Sequence, residues 1–231
     1  MKTIGMIGGM SWESSVEYYR IINEAVKESL GGLHSAKSLM YSVDFAEIEV
    51  LQQKGRWEEA THAMINAARS VEAGGADFLI ICTNTMHKMA DEVQKSIGIP
   101  LLHIADATAE AIKTRGLRRV GLLGTRFTMQ GGFYSGRLVD VHKLEVIIPD
   151  TADMEIVHRI IYEELVLGRI EPASKAEYLR IIDSLAKAGA EGIILGCTEI
   201  GLLVSQTDSR LPLFDTTRIH ALAAVRLALQ T

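Results

Sequence analysis

Aromatic residues make up only 6% of this 231-residue chain, which argues against a base-stacking platform for single-stranded nucleic acid. Basic charge is also short. The 24 Lys and Arg are outnumbered by 29 Asp and Glu, the net charge is −5, and both signs are interspersed. No basic stripe points to nucleic acid, and no charge run points to a membrane surface. The apolar start, MKTIGMIGGMSW, breaks at Gly8 and Gly9 and has no small-residue cleavage pattern. It reads as neither signal peptide nor membrane span, so a cytoplasmic protein is expected. Seven scattered histidines form no HxxxH or HExxH, and the two cysteines, Cys82 and Cys197, form no CxxC. No metal site is expected, and the thiols are expected to be reduced. The glycines of GMIGG lack the GxGxxG spacing and a Walker lysine, which argues against nucleotide binding and for a tight turn. Pro-rich linkers and low-complexity segments are absent as well.

What is present is 48% apolar residues, enough for a sizeable core in one large domain or two small ones. Short apolar runs alternate with amphipathic stretches. TIGMIGG (3–9), LMYSVDF (39–45) and DFLIICT (77–83) read as strands. SWESSVEYYRIINEAVKESL (11–30), with Ser11 as N-cap and Gly31-Gly32 as stop, and WEEATHAMINAARSVEAGG (57–75) read as helices. That alternation predicts an α/β fold with parallel sheets buried on both faces.

The pattern also recurs. IGMIGG (4–9) resembles VGLLGT (120–125) at an offset of 116; GGADFLIICTN (74–84) resembles AGAEGIILGCT (188–198) near 114 or 115; IPLLHIAD (99–106) resembles LPLFDTTR (211–218) at 112. Matching order with slowly drifting offsets predicts two homologous, pseudo-symmetric lobes, residues 1–98 plus 206–231 and residues 99–205. Ligands of open α/β sheets bind beyond the carboxyl ends of the strands. The expected site is therefore a cleft between the lobes, lined by residues following 77–83 and 191–197. Two registers compete there. At offset 115 Cys82 matches Cys197; at 114 Thr83 matches Cys197 and Cys82 matches Gly196. Offset 114 keeps helix end, turn and strand in step and is weakly favoured.

CTNTMH (82–87) and GCTEI (196–200), together with GMIGGMSWESS and the duplicated layout, resemble the aspartate/glutamate racemase family of cofactor-independent enzymes over essentially the whole chain. In that family the first signature is usually Cys-Asn-Thr, with the cysteine directly before Asn catalytic. Here Thr83 stands before Asn84 and Cys82 is one place too early. This agrees with offset 114 and resembles the branch of L-aspartate/glutamate-specific racemases. The resemblance implies an isomerase that needs no cofactor and takes a small amino acid. It also implies that Met10 and Gln52 contact substrate. With the apolar outer helix faces, it suggests a homodimer.

Racemisation removes a proton from one face of Cα and returns one to the other. Without a pyridoxal electron sink, the site itself must stabilise the carbanion. Backbone N–H groups at helix starts suit this, as do Asn84, Thr85 and Thr198. Cys197 is the expected base, because a thiol at a helix N-terminus can fall from about 8.5 into the ~3.5–7.5 range. Thr83 is the expected donor on the opposite face. Glu199 is expected at the substrate ammonium. Each residue also has a plainer reading: Cys197 as a buried core cysteine, Thr83, Asn84 and Thr85 as helix caps, Thr198 and Glu199 as first-turn residues. Cys82 is expected in the core. His87 is set aside as packing or solvent-facing. Three rival functions stay open: a malonate-type decarboxylase, which needs one thiol; a maleate-type isomerase, which usually relies on two; and a non-catalytic amino-acid-binding paralogue.

Overall fold

A computed structural model describes residues 1–230; residue 231, in the expected first lobe, lies outside them. The element order is β1 (Ile4–Gly8), α1 (Trp12–Leu30), β2 (Ser38–Ser42), α2 (Phe45–Gln53), α3 (Trp57–Ala73), β3 (Phe78–Ile81), a 3₁₀ turn (Thr85–Met89), α4 (Ala90–Ser96) and α5 (Ile104–Thr114). It continues with β4 (Arg119–Gly124), α6 (Arg126–Gln130), α7 (Gly132–Gly136), β5 (Glu145–Ile147), α8 (Thr151–Glu163), α9 (Pro172–Lys187), β6 (Gly192–Gly196), α10 (Ile200–Leu203), β7 (Leu213–Asp215) and α11 (Thr216–Leu229). Two compact units result. One is Met1–Ile104 together with the chain from His220 onward; the other is Ala105–Ile219.

The first unit carries a parallel sheet of order β2-β1-β3. Side chains alternate across a strand, and here both sets are buried. Ile4, Met6, Phe78, Ile80 and Cys82 pack with Tyr18, Ile22 and Val26 of α1 and with Ala221, Ala224 and Ala228 of α11. Ile7, Leu79 and Ile81 face the other way, onto Met64, Ala67 and Val71 of α3 and Val93 of α4. Ser11 caps α1 by accepting from the Ser14 N–H at 3.4 Å, and Gly31 ends the helix with φ 74°. Both ends follow the sequence pattern. The segment 39–45 departs from it. Strand β2 stops at Ser42, and Asp44 accepts from the Ala46 N–H at 3.0 Å and starts α2. An Asp that caps a helix cannot continue a strand, so Gln52 lies on a helix.

The second unit repeats the plan with one more strand, order β5-β4-β6-β7, all parallel. Helices α8 and α9 pack on β4, burying Val157, Ile160 and Ile161 of the former and Tyr178, Ile181 and Leu185 of the latter. Strand β7 pairs with β6, which draws residues 213–215 into this unit. The crossings therefore fall at 104/105 and 219/220, rather than at the expected 98/99 and 205/206. Among the described residues no helix is long and apolar enough to cross a membrane, and no group of three or more His, Cys, Asp or Glu is placed to hold a metal ion.

Candidate functional site

The strand pairing accords with the positions matched in the sequence. In the first sheet Ile4 pairs with Phe78, and in the second Val120 pairs with Gly192. Leu79 bridges Leu101 as Ile193 pairs with Leu213. These pairs carry the offsets 116, 114 and 112 read from the sequence. At offset 114 the residue equivalent to Cys197 is Thr83, and the equivalent of Gly196 is Cys82. Cys82 is fully buried among Met6, Ile80 and Tyr18, and burial pushes its thiol far above the ordinary range.

In the first unit the chain leaves β3 through a tight turn. Cys82 N–H still donates to Ile7 O in the ladder at 2.9 Å, and Thr83 N–H then donates back to Ile81 O at 2.9 Å. Thr83, Asn84 and Thr85 follow, all buried at 9%, 2% and 5% exposure. Met10 arrives from the end of β1 by way of Gly9, whose φ of 91° belongs to glycine and whose Cβ would strike Val43 O. Met10, Met86 and Ile48 of α2 share one apolar cluster. Buried Gln52 donates to Met86 Sδ at 3.1 Å. This unit thus gathers Met10, Gln52, Thr83, Asn84 and Thr85 beyond its strand ends.

In the second unit Cys197, Thr198 and Glu199 follow β6 in succession. The half-buried Cys197 Sγ–H donates to Glu199 Oε2 at 2.9 Å, and Thr198 Oγ1–H donates to the same oxygen at 2.9 Å. Thr217 Oγ1–H reaches Thr198 O at 3.4 Å, and Thr216 Oγ1–H reaches Leu195 O at 2.8 Å, so the start of α11 secures this turn. Burial and the neighbouring Glu199 carboxylate hold the Cys197 thiol well above its usual range, against the opposite pull of the Glu199 and Thr198 backbone N–H groups. That reverses the expectation of a depressed thiol. The helix following it, α10, is a single turn of 4 residues, so its dipole is small, and an acid sits directly on the sulfur.

Residues 7–224 match the family Asp/Glu/hydantoin racemase. The chain belongs to that family. It is 58% identical to a solved protein of Yersinia pestis proposed to be an Asp/Glu racemase, with TM-score 0.93 and 100% of both chains covered. An aspartate racemase homologue from Pyrococcus horikoshii OT3 is 37% identical at TM-score 0.86, again over 100% of both chains. The broad specificity amino-acid racemase RacX of Bacillus subtilis (strain 168) is 24% identical over 175 residues, 73% of this chain and 72% of that one. The chain is an isomerase of the racemase type, built as an α/β protein with two helix-flanked parallel sheets.

Two features of this racemase-family site escaped the sequence reading. Glu199 is bonded to the thiol, which only its position two residues beyond Cys197 could have hinted at. His87, set aside in the sequence, is buried at 3% exposure and its Nδ1 lies 2.8 Å from Thr83 O. The signal was its place four residues past Thr83 in TNTMH.

Proposed function

We propose that the protein racemises aspartate or glutamate without a cofactor, taking the L-enantiomer by abstraction at Cys197 and returning a proton from Thr83. The observation that supports this reading is that Thr83 and Cys197 each follow the last ladder residue of an inner strand, Cys82 and Gly196, within a chain of the racemase family. One thiol and one hydroxyl at equivalent positions supply the two groups that inversion needs on opposite faces of one Cα.

The base has to be a thiolate, yet the resting thiol is held protonated beside Glu199. Passing its proton 2.9 Å to Glu199 Oε2 creates the thiolate with no change in net charge. The Thr198 hydroxyl, bonded to the same oxygen, steadies the carboxylate during that transfer. The thiolate then takes the α-proton. The carbanion is delocalised into the substrate carboxylate and met by N–H and hydroxyl donors of Asn84, Thr85 and Thr198. Thr83, a weak acid, returns a proton on the opposite face, and solvent then reprotonates its oxygen while Glu199 gives up the proton it took from the thiol. Met10 and Gln52 line the side-chain end of the substrate. Because Glu199 Oε2 already serves Cys197 and Thr198, we assign it to the thiol rather than to the substrate ammonium. Enantiomers have equal free energy, so kcat/KM must match in the two directions. The Thr83 hydroxyl slows inversion relative to same-face exchange without making the enzyme one-way.

The test is proton NMR of L-glutamate and L-aspartate in D₂O without added cofactor, with chiral analysis of the same samples. Loss of the α-proton signal ahead of D-enantiomer formation supports the reading. Cys197→Ala is expected to lower L-substrate exchange by roughly 10²–10⁴-fold, the usual contribution of a positioned acid–base group. Full exchange in that variant removes Cys197 from the mechanism. Turnover of a substituted malonate without amino-acid exchange selects the decarboxylase, which the single candidate thiol also fits. Binding without exchange selects the amino-acid-binding paralogue.

A further inference from the structure

We infer that His87 is the positioning residue for Thr83, acting through the Thr83 backbone and not on the substrate; the inference rests on the reading of Thr83 as the proton donor. Both ring nitrogens of His87 are committed. Nδ1 lies 2.8 Å from Thr83 O, and a carbonyl only accepts, so Nδ1 carries the proton. Nε2 lies 3.2 Å from the Ile104 N–H, which only donates, so Nε2 is bare. The imidazole is a neutral, fixed tautomer. With both nitrogens bonded to backbone, it has none to offer an α-proton.

These bonds clamp the turn that presents Thr83. The Thr83 N–H is tied back to Ile81 O at 2.9 Å, and its carbonyl is tied to the ring, so the residue is held at both ends. The backbone N–H of His87 goes to Asn84 O at 3.1 Å, and the imidazole, not that amide, serves the Thr83 carbonyl. The ring itself is wedged. His103 lies 4.5 Å away between centroids and His220 lies 5.8 Å away. His220 is in turn held by Tyr18 Oη at 2.9 Å and Leu102 O at 2.9 Å. Three buried imidazoles thus pack together at the ring that holds the Thr83 carbonyl.

The two amide side chains separate the two bonds. In His87→Asn the amide nitrogen falls where Nδ1 was and can donate to Thr83 O. In His87→Gln the amide reaches the Nε2 position and accepts from Ile104 but leaves Thr83 O unserved. Exchange of the L-substrate α-proton in D₂O reads the Cys197 face; D-enantiomer formation reads the Thr83 face. His87→Gln is expected to lower inversion by roughly 10²-fold, the usual penalty for about 1 Å of misplacement, while exchange stays within about threefold. His87→Asn is expected to restore inversion to within about fivefold of wild type. Parallel loss of both rates in His87→Gln, or an Asn variant as impaired as Gln, overturns the inference and leaves the racemase reading standing. If neither variant folds, long-range ¹⁵N–¹H correlation of the wild-type protein decides: a neutral Nδ1–H ring supports the clamp, and an Nε2–H or doubly protonated ring overturns it. A wild-type protein with no exchange on any amino acid removes the racemase reading, and this inference with it.

Discussion

The Cys197 thiol and the Glu199 carboxylate lie 2.9 Å apart, and their coupling can be read on the thiol alone. In Glu199→Gln burial still raises the thiol but the neighbouring charge no longer does, so the midpoint of Cys197 alkylation against pH is expected to move down. Fully buried Cys82 adds no background in the native state. The same variant loses the internal proton acceptor. Exchange at pH 7 is expected to fall by roughly 10²–10⁴-fold and to climb with pH, since proton removal then depends on hydroxide. An alkylation midpoint that stays in place would leave burial as the whole cause. His220 gives a second pH signature. Burial lowers its pKa from 6.5 to about 4, so the unfolded chain binds the proton first. Its contribution is whole above pH 6.5 and is lost as pH falls from 6.5 toward 4, amounting to roughly 3 kcal/mol. Urea unfolding at pH 7.5 and 4.5 should show a smaller loss of stability in His220→Asn than in wild type. The places of Thr83 and Cys197 just beyond two strands were legible in the sequence from the apolar runs that end there. The partners of Cys197 and His87 were not, because a side-chain direction in a one-turn helix or a 3₁₀ turn has no periodicity to betray it.

At the scale of elements, the close pairing of β4 and β6 determines where Cys197 emerges. Gly124 pairs with Gly196 at the end of that ladder. A Cβ on Gly196 would lie 2.7 Å from Leu123 O, and one on Gly124 would lie 2.9 Å from Gly196 O. Both obstructions are backbone and cannot swing away. Gly196→Ala is expected to cost about 1–3 kcal/mol, as overpacking does, and to abolish exchange by displacing the next residue. Urea unfolding and the D₂O assay check the two parts. The same alanine tolerated at full stability would show that the strands spread freely. At the equivalent place in the first unit the chain carries Cys82 with its side chain buried in the core, so the requirement belongs to the second sheet. Strands and long helices were legible from apolar runs and caps. Helix α2 was not, because YSVDF continues an apolar run and only the bond from Asp44 to the Ala46 N–H turns it.

For the whole molecule, composition and the repeat carried the two-unit plan, while the crossings escaped detection. They fall inside the first turns of α5 and α11, with none of the glycine, proline or polar spacing that marks a linker. A chain ending at Ile219 therefore loses most of α11 and with it Ala221, Ala224, Val225 and Ala228 from the core of the first unit. Hydrogen exchange on that truncated chain is expected to show protection across residues 105–219 and little across 1–104. Equal protection of both segments would mean the first unit holds without its closing helix.

The same discontinuity sets an order during synthesis. Chains emerge from the ribosome amino end first, and domains generally fold as they are completed. Here Tyr18, Ile22, Val26 and Phe78 belong to a core whose last wall, from Ala221 to Ala228, follows the entire second unit. The continuous second unit can close while the older segment still waits with one face of its sheet uncovered. The part of the message read first thus encodes the part of the protein finished last.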